Sequence, residues 1–259
     1  VTIAMLDGEV DTGAVELSGA SISDKPQCTV TSSPHSKGHG TSVASVLVSS
    51  AYGIAPEATL LTYRTASTED GDQAASDCQV GSQLDKHKYA WLLNAAMNDG
   101  AQIINLSASS HSHSDELKWT IARSMSQGAI ITAAVGNDAQ DDNDAALSKW
   151  SDVVGVSAIG VDSARQDYSS WGQGVTVAAI GGPLSVHDYG TGRVAQVSGT
   201  SVSAPIVAGV LALARQKWPN ATSNQLLQLL VTTGLNPDHG WNQYTGYGGI
   251  DPGAILNTD

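Results

Sequence analysis

The sequence predicts an α/β fold of three layers, with a mostly parallel central sheet and helices on both faces. Three observations predict it. Six short runs are apolar along their whole length, as strands buried on both faces must be. Segments of helical pattern lie between several of these runs, giving strand–helix–strand alternation. No Pro/Gly/Ser-rich linker and no repeat divides the chain, so residues 1–259 read as one domain.

The first run, VTIAML (1–6), ends directly on Asp7. A helix of small residues, about 41–50, follows His39 in SKGHGTSVASV, and ATLLTY (58–63) supplies the next strand. A helical pattern over about 86–98 leads to the strand QIINLS (102–107), and another over about 115–127 leads to AIITAAV (129–135). Then come the strands VVGVSAI (153–159) and VTVAAI (175–180), and two closing helices at about 201–217 and 223–233. The last helix is bracketed by its ends: Thr222 or Ser223 can cap it, LLQLLV gives its apolar face, and Gly234 can stop it.

Composition limits the function. Apolar residues make up 41% of the chain, enough for a core, and no run approaches the length of a membrane span. A formal net charge of −13 argues against nucleic acid or an anionic membrane as partner. The opening VTIAML is too short for a signal peptide and lacks a basic leader, so the chain reads as a mature or excised domain. Cys28 and Cys78 lack metal-ligand spacing; they either pair or remain free.

Chemistry concentrates at element ends. SGTSVSAPIVAG (198–209) opens a helix with three hydroxyls in four positions, Ser198, Thr200 and Ser201. Such hydroxyls cap helices, and one of them can equally be a nucleophile held where helix-terminal N–H groups stabilise negative charge. Asp7 and Asn137 each follow a strand, where open parallel sheets collect functional residues. Alone, each reads as a turn residue, and His39 as structural. Together they supply the four roles of acyl transfer. A Ser hydroxyl needs a base to take its proton, and the base needs a carboxylate to fix its tautomer. The tetrahedral oxyanion needs N–H donors.

VTIAMLDGEVD, GHGTSVAS, GIAPEATL, INLSASS, AAVGND and SGTSVSAPIVAG resemble, in order and spacing, the subtilisin-like serine proteases, the subtilases. The resemblance runs to GYGGIDPGAIL (246–256), and it makes residues 1–259 a subtilisin-like catalytic domain. It implies a serine endopeptidase working through an acyl-enzyme intermediate. Asp7 becomes the orienting carboxylate, His39 the general base and acid, and Ser201 the nucleophile. Asn137 becomes the oxyanion donor, assisted by the Ser201 N–H. The resemblance also implies a groove in which Ser107, Ala108 and Ser109 pair with an extended peptide. Ala134, Val135, Gly136 and Asn137 form the other wall of the specificity pocket, and Val80 and Gly81 give the opposite edge. In the family the segments carrying Cys28 and Cys78 run close together beside the site, which implies a disulfide and a secreted or extracellular setting.

The chain also departs from that pattern. Gly8 and Glu9 stand where the family usually has Ser or Thr and then Gly, and Ala108, Ser109 and Ser110 replace Leu-Gly-Gly. Ile206 stands where many members carry His. SSAYGIAP lacks the oxygen ligands of a tight calcium loop, so no metal or cofactor is expected. The LDGEVD start is similar to cyanobactin-type peptide-maturation subtilases, which suggests a cytoplasmic maturation enzyme or transpeptidase as an alternative. The interval 8–38 is too short for the insert of ring-forming members, which favours hydrolysis. A peptide-binding pseudoprotease is the reading from another class. The partner expected is a peptide or protein substrate, with a propeptide removed beforehand. Asp141, Asp142 and Asp144 are either a solvated acidic loop or the source of an acid at the floor of the specificity pocket, selecting Arg or Lys before the cut.

Overall fold

The computed structural model describes residues 1–65, 78–80, 83–84, 88–108, 114–141, 147–187, 193–237 and 240–258. Strand β1 (Thr2–Asp7) is followed by β2 (Ile22–Asp24), helix α1 (Pro34–Val48) and β3 (Thr59–Arg64). Two short strands, β4 (Gln79–Val80) and β5 (Gln83–Leu84), precede α2 (Lys88–Asn98). Then β6 (Ile103–Leu106), α3 (Asp115–Ser126), β7 (Ile130–Ala134), β8 (Val153–Ile159) and β9 (Val175–Ile180) alternate as predicted. A hairpin of β10 (Leu184–His187) and β11 (Val194–Val197) leads to α4 (Thr200–Lys217), α5 (Ser223–Thr232) and α6 (Pro252–Asn257).

Seven strands form one sheet in the order β2-β3-β1-β6-β7-β8-β9. Every pairing in it is parallel. Side chains alternate along each strand, so a wholly apolar strand feeds two cores. Ile3 and Met5 of β1 join the layer holding Val43, Leu47, Val207 and Leu211 from α1 and α4. Ala4 and Leu6 join the opposite layer with Leu92, Leu93, Leu117 and Ile121 from α2 and α3. Helix α4 is buried nearly all round, from Val202 to Ala214, which suits its run of small apolar residues. It lies behind β6 to β9 and brings its N-terminus to the carboxyl ends of the strands.

The fold class is therefore the expected one, with several local corrections. Helix α1 starts at Pro34 rather than near 41, so His39 lies inside the helix and not ahead of it. The Ser33 hydroxyl caps it by accepting from the Ser36 N–H, and Pro34 needs no N–H partner at the first position. The edge strand β2, the β10–β11 hairpin and α6 were not predicted. Helix α5 ends at Thr232, one residue short of the predicted bound, with Thr233 at the cap bonding the Leu229 carbonyl and Gly234 next.

Cys28 and Cys78 form a disulfide with Cα atoms 5.4 Å apart, which resolves the choice the sequence left open. Next to it, Thr29 and Gln79 pair antiparallel through two 3.0 Å backbone bonds. Among the described residues no helix is long and apolar enough to cross a membrane.

Candidate active site

Asp7 closes β1 and is 3% exposed. Its Oδ1 accepts from the Gly8 N–H at 2.6 Å and lies 2.7 Å from His39 Nδ1. A carboxylate on Nδ1 assigns the proton of a neutral imidazole to that nitrogen and leaves Nε2 as the basic one. Among the described residues Asp7 Oδ2 has no hydrogen-bond donor, although it is buried.

The contact between the two elements depends on absent side chains. A Cβ on Gly8 would stand 2.1 Å from the Ser36 carbonyl oxygen, and one on Gly40 would stand 2.5 Å from the Gly8 carbonyl oxygen. Backbone therefore packs on backbone, and that brings His39 down to the end of β1. This is the physical use of the Gly8 departure. Glu9, the second departure, binds Lys37 Nζ of α1 at 3.2 Å and Arg64 NH1 at 3.4 Å. Arg64 also reaches Asp24 Oδ2 at 2.6 Å, so the turn after β1 shares one charged network with β2, β3 and α1.

The second half of the site lies at the start of α4. Neither Ser198 nor Thr200 caps this helix: Gly199 is at the cap position, with φ +156°, and provides no side-chain bond. Asn137 caps it from elsewhere in the chain. Its Oδ1 accepts from the Thr200 N–H at 2.8 Å and from the Thr200 hydroxyl at 3.0 Å. With Oδ1 engaged, the amide Nδ2 is the end available to donate. The Ser201 N–H is among those that a helix start leaves unbonded by the helix itself, at the positive end of the dipole. A Cβ on Gly199 would sit 3.0 Å from Ser201 Oγ and 3.2 Å from Asn137 Nδ2. The hydroxyl and the amide thus flank a space that exists because residue 199 is glycine.

The Asn137 turn is held from both sides. The Thr200 hydroxyl accepts from the Gly136 N–H at 3.3 Å. Buried Ser170 donates its N–H to the Gly136 carbonyl at 3.0 Å and accepts from the Asp138 N–H at 3.2 Å. The sequence reading gave neither Thr200 nor Ser170 a role in orienting Asn137. The only signal for Thr200 was the excess of hydroxyls at 198–201, and for Ser170 there was none.

His39, Asn137 and Ser201 line one cavity of about 320 Å³, together with Ser198, Val186 and Gln196. Asp7 stands behind His39. The arrangement holds an imidazole by its Nδ1, a hydroxyl at a helix start, and two kinds of N–H donor around one opening. It can move a proton off a hydroxyl and stabilise an oxyanion.

The residues expected along the groove fall as follows. Buried Ser107, at the end of β6, accepts from Asn105 Nδ2 at 2.9 Å, and Ala108 follows it half-buried. Ala134, Val135 and Gly136 continue the neighbouring strand β7 and are buried. Val80 lies in β4, with its backbone alone described, while Gly81 and Ser109 lie outside the described residues. Asp141 is exposed and pairs with Trp171; Asp142 and Asp144 lie outside the described residues.

Residues 1–248 match the family described as the subtilase family, peptidase S8. The thermostable alkaline protease of Halalkalibacterium halodurans is 30% identical over 202 residues, covering 76% of this chain and 52% of that protein. Mycosin-4 of Mycobacterium tuberculosis is 28% identical over 264 residues, covering 85% of this chain and 57% of that protein. The chain spans a little more than half the length of these two relatives. The solved structure of the prenylagaramide maturation protease PagA is similar in fold, with a TM-score of 0.78 at 24% identity over 99% of this chain and 92% of that one.

Proposed function

The chain belongs to the subtilase family, and from that premise we propose that it is a serine endopeptidase acting through an acyl-enzyme intermediate. The observation that carries the proposal is the 2.7 Å Asp7–His39 contact at the wall of the cavity that Ser201 and Asn137 also line. His39 Nε2 takes the Ser201 proton as Oγ attacks the scissile carbonyl carbon. Asn137 Nδ2 and the Ser201 N–H receive the oxyanion. His39 then returns the proton to the leaving amine, and water repeats the sequence on the acyl-enzyme to free Ser201. Asp7 keeps Nε2 facing the hydroxyl and stabilises the imidazolium.

The substrate is an extended peptide that adds as a strand along 107–109, with its side chains in pockets. The disulfide supports an oxidising compartment, because such bonds are rare where thiols are kept reduced. Removal of a propeptide before activity belongs to the same reading. A second reading, a protease dedicated to maturing one precursor peptide, draws support from the fold likeness to PagA. The acid-floored pocket remains part of the proposal through Asp141, Asp142 or Asp144, with Arg or Lys favoured before the cut.

An organophosphonate probe tests the core of this proposal. Covalent labelling should occur at Ser201, read by intact mass and peptide mapping, and should vanish in His39→Ala. A folded protein that never labels would be a peptide-binding pseudoprotease. Cleavage profiling on a peptide library separates a general endopeptidase from a single-precursor enzyme, and matched peptides varying the residue before the cut test the acid floor.

A further inference from the structure

Helix α1 carries a second histidine, His35, four residues before His39. Residues four apart project from the same face of a helix, one turn above the other. Both rings line the cavity that holds Ser201, and His35 is exposed there. A pair of imidazoles at this spacing is a ready chelate for a borderline-soft divalent ion. His39 has a further feature of a metal-ligating histidine. Its Nδ1 is held by a buried carboxylate, the outer-sphere arrangement that fixes ring orientation and raises the basicity of the opposite nitrogen.

We propose that His35 and His39 form an inhibitory site for a divalent transition-metal ion, with Zn²⁺ the leading case. The ion takes the Nε2 lone pair of His39, so that nitrogen can no longer accept a proton from Ser201. The second protein ligand is a ring nitrogen of His35, and water completes the coordination. No bond in a substrate forms or breaks, and no electron is transferred.

Among the described residues no group of three or more His, Cys, Asp and Glu could hold a metal. A site with two protein ligands is therefore exchangeable, and it acts as a brake instead of a structural clamp. The strongly negative chain raises the local concentration of cations.

The test uses the whole chain and two readouts. In a non-chelating buffer, Zn²⁺ chloride should inhibit peptide cleavage reversibly, and EDTA should restore the rate. His35→Gln should raise the half-inhibitory Zn²⁺ concentration by at least about tenfold, each protein being scored against its own metal-free rate. Equal inhibition of both proteins overturns the proposal, as does an absence of inhibition. The second readout does not depend on catalysis. Co²⁺ is titrated into the Ser201→Ala protein and followed by its visible absorption. A tetrahedral-type spectrum that disappears in His35→Gln, and separately in His39→Gln, is expected. A spectrum indifferent to His35 sinks the site even if the proteolytic reading holds, and its loss sustains the site even if that reading fails.

Discussion

Two strand ends, at Asp7 and at Asn137, are held in opposite ways. The Asn137 turn, after β7, is closed by hydrogen bonds. Thr200 grips it from α4 and Ser170 from the other side, and the amide oxygen is fully engaged. The Asp7 turn, after β1, carries charge and is held mainly by packing. Gly8 and Gly40 let α1 rest directly on its backbone, and Glu9 ties it outward to Lys37 and Arg64. Among the described residues its carboxylate has no donor on Oδ2, and the nearby Ser36 hydroxyl, also buried, has no partner. The difference follows the chemistry each side chain offers. An oxyanion donor must be preorganised, since a loosened amide stabilises no transition state. A carboxylate that steadies an imidazolium acts through charge as well as geometry and tolerates a less complete set of donors.

The largest expected effect breaks the unit that both loops serve. Ser201→Ala and His39→Ala should each cut kcat/KM by more than about a thousandfold, and the double variant should be hardly worse than either alone. Additive losses would mean that the two residues do not act together. Next in size is the closed loop. Asn137→Ala should lower kcat by about a hundred- to a thousandfold, a magnitude carried over from the corresponding amide of subtilisin. Thr200→Val should lose less, about tenfold, through kcat with KM held, because the hydroxyl acts only by orienting Asn137. A rise in KM alone would show that Thr200 shapes binding instead.

The packed loop should fail differently. Gly8→Ser would restore a hydroxyl beside Asp7, but its Cβ has only 2.1 Å to the Ser36 carbonyl oxygen. The helix must shift, at a cost of about 1–3 kcal/mol, read as a lower melting temperature with a loss of activity. A Gly8→Ser protein as stable as the parent would show that the α1 contact is looser than the structure has it.

How legible each loop was in the sequence follows the same division. The strands that end on Asp7 and Asn137 were readable because burial on both faces leaves an unbroken apolar run, as in the fully buried VVGVSAI of β8. The edge strand β2 and the β10–β11 hairpin have no such signal; Val194, for example, is 64% exposed. The first turns of α1, PHSKGHG, hold two glycines within three residues, so propensity argued against the helix that packing imposes. Residue types marked Asp7, His39, Ser201 and Asn137 as candidates. What orients Asn137 was not readable, because its partner Thr200 lies 63 residues away.

The smallest effect concerns Glu9, where the packed loop reaches charge. Its carboxyl is drawn up by burial, yet the neighbouring Ser32 and Lys37 and the charge of Arg64 outweigh this and hold it below the usual glutamate range. A depressed folded value means that Glu9 adds stability above its unfolded pKa of about 4.3. That contribution is lost as pH falls through the folded value. Glu9→Gln should therefore destabilise at neutral pH, by less than about 1 kcal/mol, since both ion pairs are partly exposed and water screens them. The gap between the two proteins should close in buffers more acidic than the glutamate range and narrow in high salt. Melting temperatures across pH and salt give the answer. Because Arg64 keeps its 2.6 Å contact with Asp24, the loss should stop short of the whole network. A gap that persists unchanged into acid would assign Glu9 a packing role, and the Asp7 turn would then be held by shape alone.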